Sequence, residues 1–200
     1  KRGGTEFKMN ICVFGAASPK VASEYLLAAE KLGEEMAKRG HTLVFGAGAH
    51  GLMGSVARGV KVAGGKVIGV IPQFFLDEDI EPVFEYCDEL LITKDMAERK
   101  DVMDERSDAF IVTPGGIGTF EELFETLTLK QLGRHTKPIA IHNVNGYYDP
   151  LERMMYMAMK ERFVRSYCDL LYLVFTDLGE MFEYVENHAG SFGLTVKDLK

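Results

Sequence analysis

The densest chemical signal in the chain is the run Pro114-Gly115-Gly116-Ile117-Gly118-Thr119-Phe120-Glu121-Glu122. It follows a β-rich segment and opens a helical one. Glycines there leave several backbone N–H groups free to face one anion. Thr119 adds a hydroxyl donor, and the positive end of the helix dipole favours negative charge. Thr119 and Glu122 also have the S/T-x-x-E spacing of a capping box. Two uses of the pair therefore stand side by side: an anion-binding loop with a carboxylate next to it, or two residues capping each other's backbone. Phe120, Leu123, Phe124 and Leu127 form an i, i+3, i+4, i+7 stripe that should face the core. At ~100° per residue, Glu122 then lies opposite that stripe, away from the core, with Leu129 on its side.

Two further segments carry candidate chemistry. In Met96-Ala97-Glu98-Arg99-Lys100 the spacing puts Met96, Arg99 and Met103 on one helix face. A guanidinium between methionines can hold sugar or phosphate oxygens while a thioether packs on a base; the plain alternative is an exposed amphipathic helix. Gly46-Ala47-Gly48-Ala49-His50-Gly51 matches G-x-G-x-x-G between a strand and a helix. A dinucleotide site also needs an acid ~20 residues on, at the end of the next strand. Here that strand ends Val70-Ile71-Pro72-Gln73, with no acid before Asp77. A mononucleotide site or a tight structural turn fits the segment better than NAD(P) binding.

The elements that must position these residues alternate. β-rich runs are expected at Asn10–Phe14, His41–Phe45, Lys66–Ile71, Glu89–Ile92, Ala109–Thr113, Pro138–His142 and Leu171–Phe175. Helices are expected at Pro19–Arg39, Leu52–Ala63, Asp95–Ser107, Thr119–Leu132, Asp149–Phe163 and Asp177–Asn187. Residues 72–88 read as a loop or lid. This pattern predicts one α/β domain over residues 9–189, a Rossmann-like parallel sheet with helices on both faces and ligands at the carboxyl ends of its strands. Residues 1–8 are polar and precede Met9; they read as an added or disordered lead, and 190–200 as a C-terminal tail.

Composition narrows the function classes. The 200 residues carry a net charge of −7, so a phosphate backbone or an anionic membrane surface is not the expected partner. Cys12, Cys87 and Cys168 are few and widely spaced, which points to a reducing, cytoplasmic setting. No apolar run approaches the ~20 residues of a membrane span. His41, His50, His135, His142 and His188 show no H-x-H or H-x-x-x-H spacing, so no metal site is expected.

Taken together, the three segments resemble the LONELY GUY (LOG) family, the cytokinin riboside 5′-monophosphate phosphoribohydrolases, many of whose members carry the label "lysine decarboxylase-like". The family pattern P-G-G-x-G-T-x-x-E is matched in full by Pro114 to Glu122, and its R-K pair by Arg99-Lys100. Gly51-Leu52-Met53-Gly54, Lys137-Pro138 and Asn145-Gly146-Tyr147-Tyr148 fit as well. The resemblance runs from about Asn10 to about Asp177. It implies a Rossmann-like fold, a dimer or higher oligomer, no required cofactor, and hydrolysis of a nucleoside 5′-monophosphate to free base and ribose 5-phosphate. Arg99 and Glu122 are implied to be catalytic, and Gly115, Gly116, Gly118 and Thr119 to form the phosphate loop. Ser18, Gly46, Gly48, Met96 and Lys100 complete the expected substrate-binding set.

This chain departs from the family in having Ala17-Ser18 where Ser-Ser is common, Gly46-Ala47-Gly48 where three glycines are common, and Ala97 where His is common. These changes remove no catalytic group and leave AMP and a prenylated adenine nucleotide both open as substrates. No constellation for pyridoxal-dependent decarboxylation is present. The alternatives are a nucleotide-binding sensor or carrier without turnover and, behind it, an NAD(P)-dependent oxidoreductase. A homodimer is expected from Leu129 and from the helix after Asp149, where Met154, Met155, Tyr156, Met157 and Met159 make nearly every face apolar.

Overall fold

A computed structural model of the chain describes residues 8–188. The expected lead and the tail from Gly190 thus fall, apart from Lys8, outside the described residues. The elements run β1 (Asn10–Phe14), α1 (Ser23–Lys38), β2 (Thr42–Phe45), α2 (Gly51–Val62), β3 (Lys66–Pro72), α3 (Gln73–Asp77), β4 (Glu89–Thr93), α4 (Met96–Glu105), β5 (Ala109–Val112), α5 (Ile117–Gln131), β6 (Ile139–His142), α6 (Asp149–Lys160), β7 (Leu173–Phe175) and α7 (Leu178–Asn187). The strands form one parallel sheet in the order β4-β3-β2-β1-β5-β6-β7. The succession runs outward from β1 to β4 and then resumes on the other side of β1 with β5; ligands of such sheets bind at this switch point, outside the carboxyl ends of the strands.

Period-two alternation divides the strand residues between two cores. Ile11, Val13, Leu43, Phe45 and Ile111 pack under α1, α2 and α7; Phe14, Val44, Val70, Phe110 and Val112 pack under α4, α5 and α6. On the first face α1 and α2 approach closely through two glycines. A Cβ on Gly33 would lie 2.1 Å from the Val56 carbonyl oxygen, and one on Gly59 would lie 2.0 Å from that of Glu30.

Two expectations change, and a third takes definite form. The 72–88 segment is not a free loop: it begins as α3, and an isolated bridge pairs Val83 with Gly48. The buried line of α5 is Thr119, Leu123, Thr126, Leu127 and Lys130, while Phe124 is 36% exposed. The helix is rotated by about 60° from the orientation the apolar stripe suggested. Two polar residues of the buried line are satisfied in that orientation: Thr126 returns its hydroxyl to the Glu122 carbonyl of its own helix, and Lys130 ties the helix to its surroundings by donating its ammonium to the Leu171 carbonyl. Glu122 and Leu129 consequently lie at the flank of the buried face, both half-buried. Finally, α6 has no fully buried residue. Met155 and Met159 lie against the second core, but Met154, Tyr156 and Met157 are exposed.

Replacing Gly33 by alanine should push α1 from α2 and lower stability by about 1–3 kcal/mol, the usual range for overpacking. A lower thermal midpoint with an unchanged far-ultraviolet dichroism spectrum is the expected result; an unchanged midpoint would contradict this contact.

Candidate active site

The start of α5 is set by what its neighbours do with the loop's carbonyls. Tyr147 donates its hydroxyl to the Gly115 carbonyl and Tyr148 to that of Thr113, while Pro114 accepts from the Ala16 N–H. The N-cap is Gly116, with no side-chain cap. Among the described residues no acceptor takes the N–H of Gly116, Ile117, Gly118 or Thr119; the first internal bond of the helix runs from Phe120 N–H to the Gly116 carbonyl. Thr119 is therefore the third residue of the helix rather than its cap, and the Thr119–Glu122 capping box does not form. Four donors at the positive end of a helix converge without a partner, an arrangement suited to an anion.

The other glycine loop is closed. Leu52 and Met53 donate their N–H groups to the Ala16 carbonyl, Gly54 to that of His50, and Ala49 to that of Pro82. The start of α2 has no comparable set of donors for a pyrophosphate. Its glycines make room instead: a Cβ on Gly46 would lie 1.9 Å from Arg99 Nη2, and one on Gly48 would lie 3.0 Å from Glu81 Oε1.

Arg99 is held from every side. The capping box missing from α5 is found, in variant form, at the start of α4. Asp95 accepts from the Glu98 N–H at 2.9 Å, and the Glu98 carboxylate accepts from the Lys94 N–H at 2.6 Å. One turn into α4, Arg99 is only 5% exposed. It donates Nε to the Val70 carbonyl at 3.2 Å and Nη2 to the Gly46 carbonyl at 3.1 Å. Nη1 lies 3.6 Å from the Met96 sulfur, and the Phe75 ring centre is 5.5 Å from Cζ. Lys100 turns the other way, pairing with Glu121 and Glu125 on the outer side of α5.

Glu122 is the group whose chemistry this environment changes most. Burial pushes its carboxyl up from the ordinary 4.5 to about 7, with Arg99 opposing the rise, Glu121 adding to it, Lys100 opposing and Glu125 adding. It shares with Arg99 a cavity of about 370 Å³ lined also by Ser18, Met53, Phe75, Glu81, Met96, Gly116, Gly118 and Thr119. An adjoining cavity of about 350 Å³, lined by Tyr25, Leu52, Gly115 and Tyr147, meets it at Ala16, Ser18 and Gly116. Of the expected site residues, Ser18, Met96, Arg99, Gly116, Gly118, Thr119 and Glu122 thus converge on one cavity, with Gly115 next door. Gly46 and Gly48 stand behind Arg99 and Glu81, and Lys100 lines neither space. Sequence reasoning missed Met53, Phe75 and Glu81. Met53 lies in the Gly51–Gly54 motif, but that motif does not by itself assign it to the site. The segments of Phe75 and Glu81 carry no spacing signal, and backbone ties of residues 82–84 to Ala47, Gly48 and Ala49 bring Glu81 over the site. Among the described residues no group of His, Cys, Asp and Glu is arranged to hold a metal ion.

Comparison with known proteins bears on the family and the fold. A family model described as "Possible lysine decarboxylase" matches residues 53–185. LOG6 of Arabidopsis thaliana, a probable cytokinin riboside 5′-monophosphate phosphoribohydrolase, is 40% identical over 192 residues, covering 94% of each chain. LOGL5 of Oryza sativa subsp. japonica, with the same description, is 44% identical over 154 residues. That match covers 77% of this chain and 62% of the rice protein, so the chain spans a little under two thirds of that relative. Among solved structures, the molybdenum cofactor carrier protein of Chlamydomonas reinhardtii shares the fold, with a TM-score of 0.68, 22% identity, and coverage of 92% of this chain and 99% of that one.

Because the Glu122 carboxyl is raised in the folded state, its proton stabilises the fold fully below about pH 4.5, and that stabilisation is lost as pH rises through 7. Above pH 7 the ionised group costs on the order of 3 kcal/mol. Glu122→Gln, which has no charge to desolvate, should melt higher than the parent at pH 8 and level with it at pH 4.5. Equal midpoints at pH 8 would show that the carboxylate is not strained by burial.

Proposed function

Since the chain belongs to the cytokinin riboside 5′-monophosphate phosphoribohydrolase family, we propose that it hydrolyses the N-glycosidic bond of a nucleoside 5′-monophosphate, releasing the free base and ribose 5-phosphate. The observation that carries this reading is the juxtaposition in one cavity of an uncapped helix start, a buried arginine and a carboxyl raised to about 7. The N–H groups of Gly116 to Thr119 bind the 5′-phosphate, with the Thr119 side chain at the same turn. Ser18 and Met96 line the path of sugar and base.

Breaking the bond from the sugar's anomeric carbon to the base nitrogen sends the electron pair to the base and builds positive charge on the ring. Glu122, half ionised near neutral pH and increasingly so above it, lies where a carboxylate can stabilise that charge and take the proton of the attacking water. The water's oxygen completes the sugar, and the proton taken by Glu122 passes on to the departing base, which restores the carboxylate. Arg99 acts from a fixed position: two carbonyls hold it, so its guanidinium presents an oriented charge to substrate oxygens without reorganising. Chain residues and water suffice for these steps, and no cofactor is called on. The dinucleotide alternative loses its main support because the N–H groups of Leu52 and Met53 already have an acceptor.

The same reading extends to assembly and location. Met154, Tyr156 and Met157 on α6 and Phe163 just beyond it are exposed at 54%, 62%, 47% and 86%, an apolar set whose proposed cover is a second copy of the chain. Cys12 and Cys87 are free thiols, and no helix among the described residues is long and apolar enough to cross a membrane. The cytoplasm is the proposed compartment.

AMP should be cleaved far faster than adenosine, measured as free adenine, and Glu122→Gln should lower turnover of AMP by roughly 10²–10⁴ while AMP still binds. Comparable rates on the two substrates would remove the phosphate loop from the reading, and near-normal turnover in the variant would remove its central carboxylate. Sedimentation at micromolar concentration should return the mass of a dimer, and Met157→Lys should shift it towards the monomer; a monomeric parent would refute the pairing.

A further inference from the structure

Glu81 is a carboxylate in the cavity that the mechanism above does not use. It is half-buried, it lines the same space as Arg99 and Glu122, and no donor among the described residues makes a hydrogen bond to it. Its backbone is nevertheless fixed. On its C-terminal side the Pro82 carbonyl accepts from Ala49, Val83 bridges Gly48, and Phe84 donates to the Ala47 carbonyl. A side chain at position 48 would crowd its Oε1, so the glycine leaves the carboxylate its place. Arg99 and His50 are the charges it feels, and burial outweighs both in raising its carboxyl above the usual range. A partly desolvated acceptor without a donor costs free energy that a ligand's N–H or O–H can return.

Position in the sheet says which part of a nucleotide would reach it. The donors that suit a phosphate lie after β5, whereas Phe75 and Glu81 come from the segment after β3. In the order β3-β2-β1-β5 those ends are three strand spacings apart, or about 14 Å at ~4.8 Å each. A nucleotide anchored by its phosphate at the β5 end extends towards β3. The lining there is Met53, Phe75 and Met96, thioethers and a ring suited to the face of a base. Glu81 stands among them as an acceptor for the edge of that base.

Building on the nucleotide reading of the site, we propose that Glu81 selects the base, its carboxylate accepting a hydrogen bond from the exocyclic N–H of an aminopurine. An oxopurine presents a carbonyl oxygen at that edge, and two acceptors face each other. The ligand class favoured is therefore the 6-aminopurine nucleotide over the 6-oxopurine nucleotide. A site built around a hydrogen bond rejects a partner that cannot make it far more strongly than an apolar pocket rejects a missing methylene.

The test measures binding in the Glu122→Gln chain, where turnover does not interfere, with AMP, IMP and 2′-deoxy-AMP as ligands. AMP should bind at least ~10-fold tighter than IMP, and adding Glu81→Ala should bring the two within about threefold, chiefly by weakening AMP. Adding Glu81→Gln, whose amide both donates and accepts, should recover IMP binding. An AMP to IMP ratio unmoved by both changes overturns the proposal. So does a ratio of AMP to 2′-deoxy-AMP that collapses in Glu81→Ala while AMP over IMP persists, which assigns Glu81 to the sugar. The hydrolase reading fails separately: a parent chain that discriminates AMP from IMP through Glu81 yet releases no base sinks hydrolysis and leaves this assignment standing. A chain that binds none of the three at millimolar concentration sinks both.

Discussion

A buried guanidinium holds this site together. Placing a full charge at 5% exposure is costly unless its hydrogen-bonding groups are met, and Arg99 meets that condition with backbone rather than with a carboxylate. The Val70 and Gly46 carbonyls lie within and just beyond the carboxyl ends of β3 and β2, so the cation ties two strand ends to α4. Much of the neighbourhood follows. Position 46 has no room for a side chain, Phe75 of α3 lies over the charge, and the Asp95–Glu98 cap fixes where α4 begins. Two cavity carboxylates, Glu81 and Glu122, feel that positive charge without neutralising it by a direct ion pair. The guanidinium keeps one polar nitrogen, Nη1, with only a thioether beside it.

The two glycine loops show why a motif alone leaves its use open. Both follow a strand, both feed a helix, and both are rich in glycine. What separates them is the Ala16 carbonyl, which takes two N–H groups at the start of α2 and none at the start of α5. Ala16 belongs to the loop after β1, far from either motif in sequence. Only a full accounting of where each backbone donor goes distinguishes a closed turn from an open one.

Much of the fold was legible because hydrophobic alternation and turn residues act locally. The succession of strands and helices along the chain and the expectation of one parallel sheet follow from residues near one another in sequence, and the grouping of Arg99, Thr119 and Glu122 from the family pattern. The strand order in the sheet, with its switch at β1 and β5, came only from the structure. What was not legible depends on distant partners. The orientation of α5 turns on Lys130 finding the Leu171 carbonyl, and Thr126 sits in the buried line although a hydropathy pattern counts it as outward. The capping box was sought at Thr119 and Glu122, where the spacing fits, but the backbone there starts its helix at Gly116–Ile117; Asp95 and Glu98 form the cap that does exist. Glu81 carried no signal because its position over the cavity rests on backbone ties between residues 47–49 and 82–84.

The hydroxyl of Tyr147 on the Gly115 carbonyl has a consequence for which polar groups this loop presents. A peptide unit is a rigid plane, so fixing the Gly115 oxygen on one side fixes the Gly116 N–H on the other. Between two glycines such a plane can turn over with little steric resistance. Turned over, it would present an oxygen where a hydrogen now points, and a concavity of donors would gain an acceptor at its centre. A phenol more than thirty residues downstream thereby sets the polarity of the loop. The donor character of the loop is a property of that tyrosine's reach as much as of the glycines.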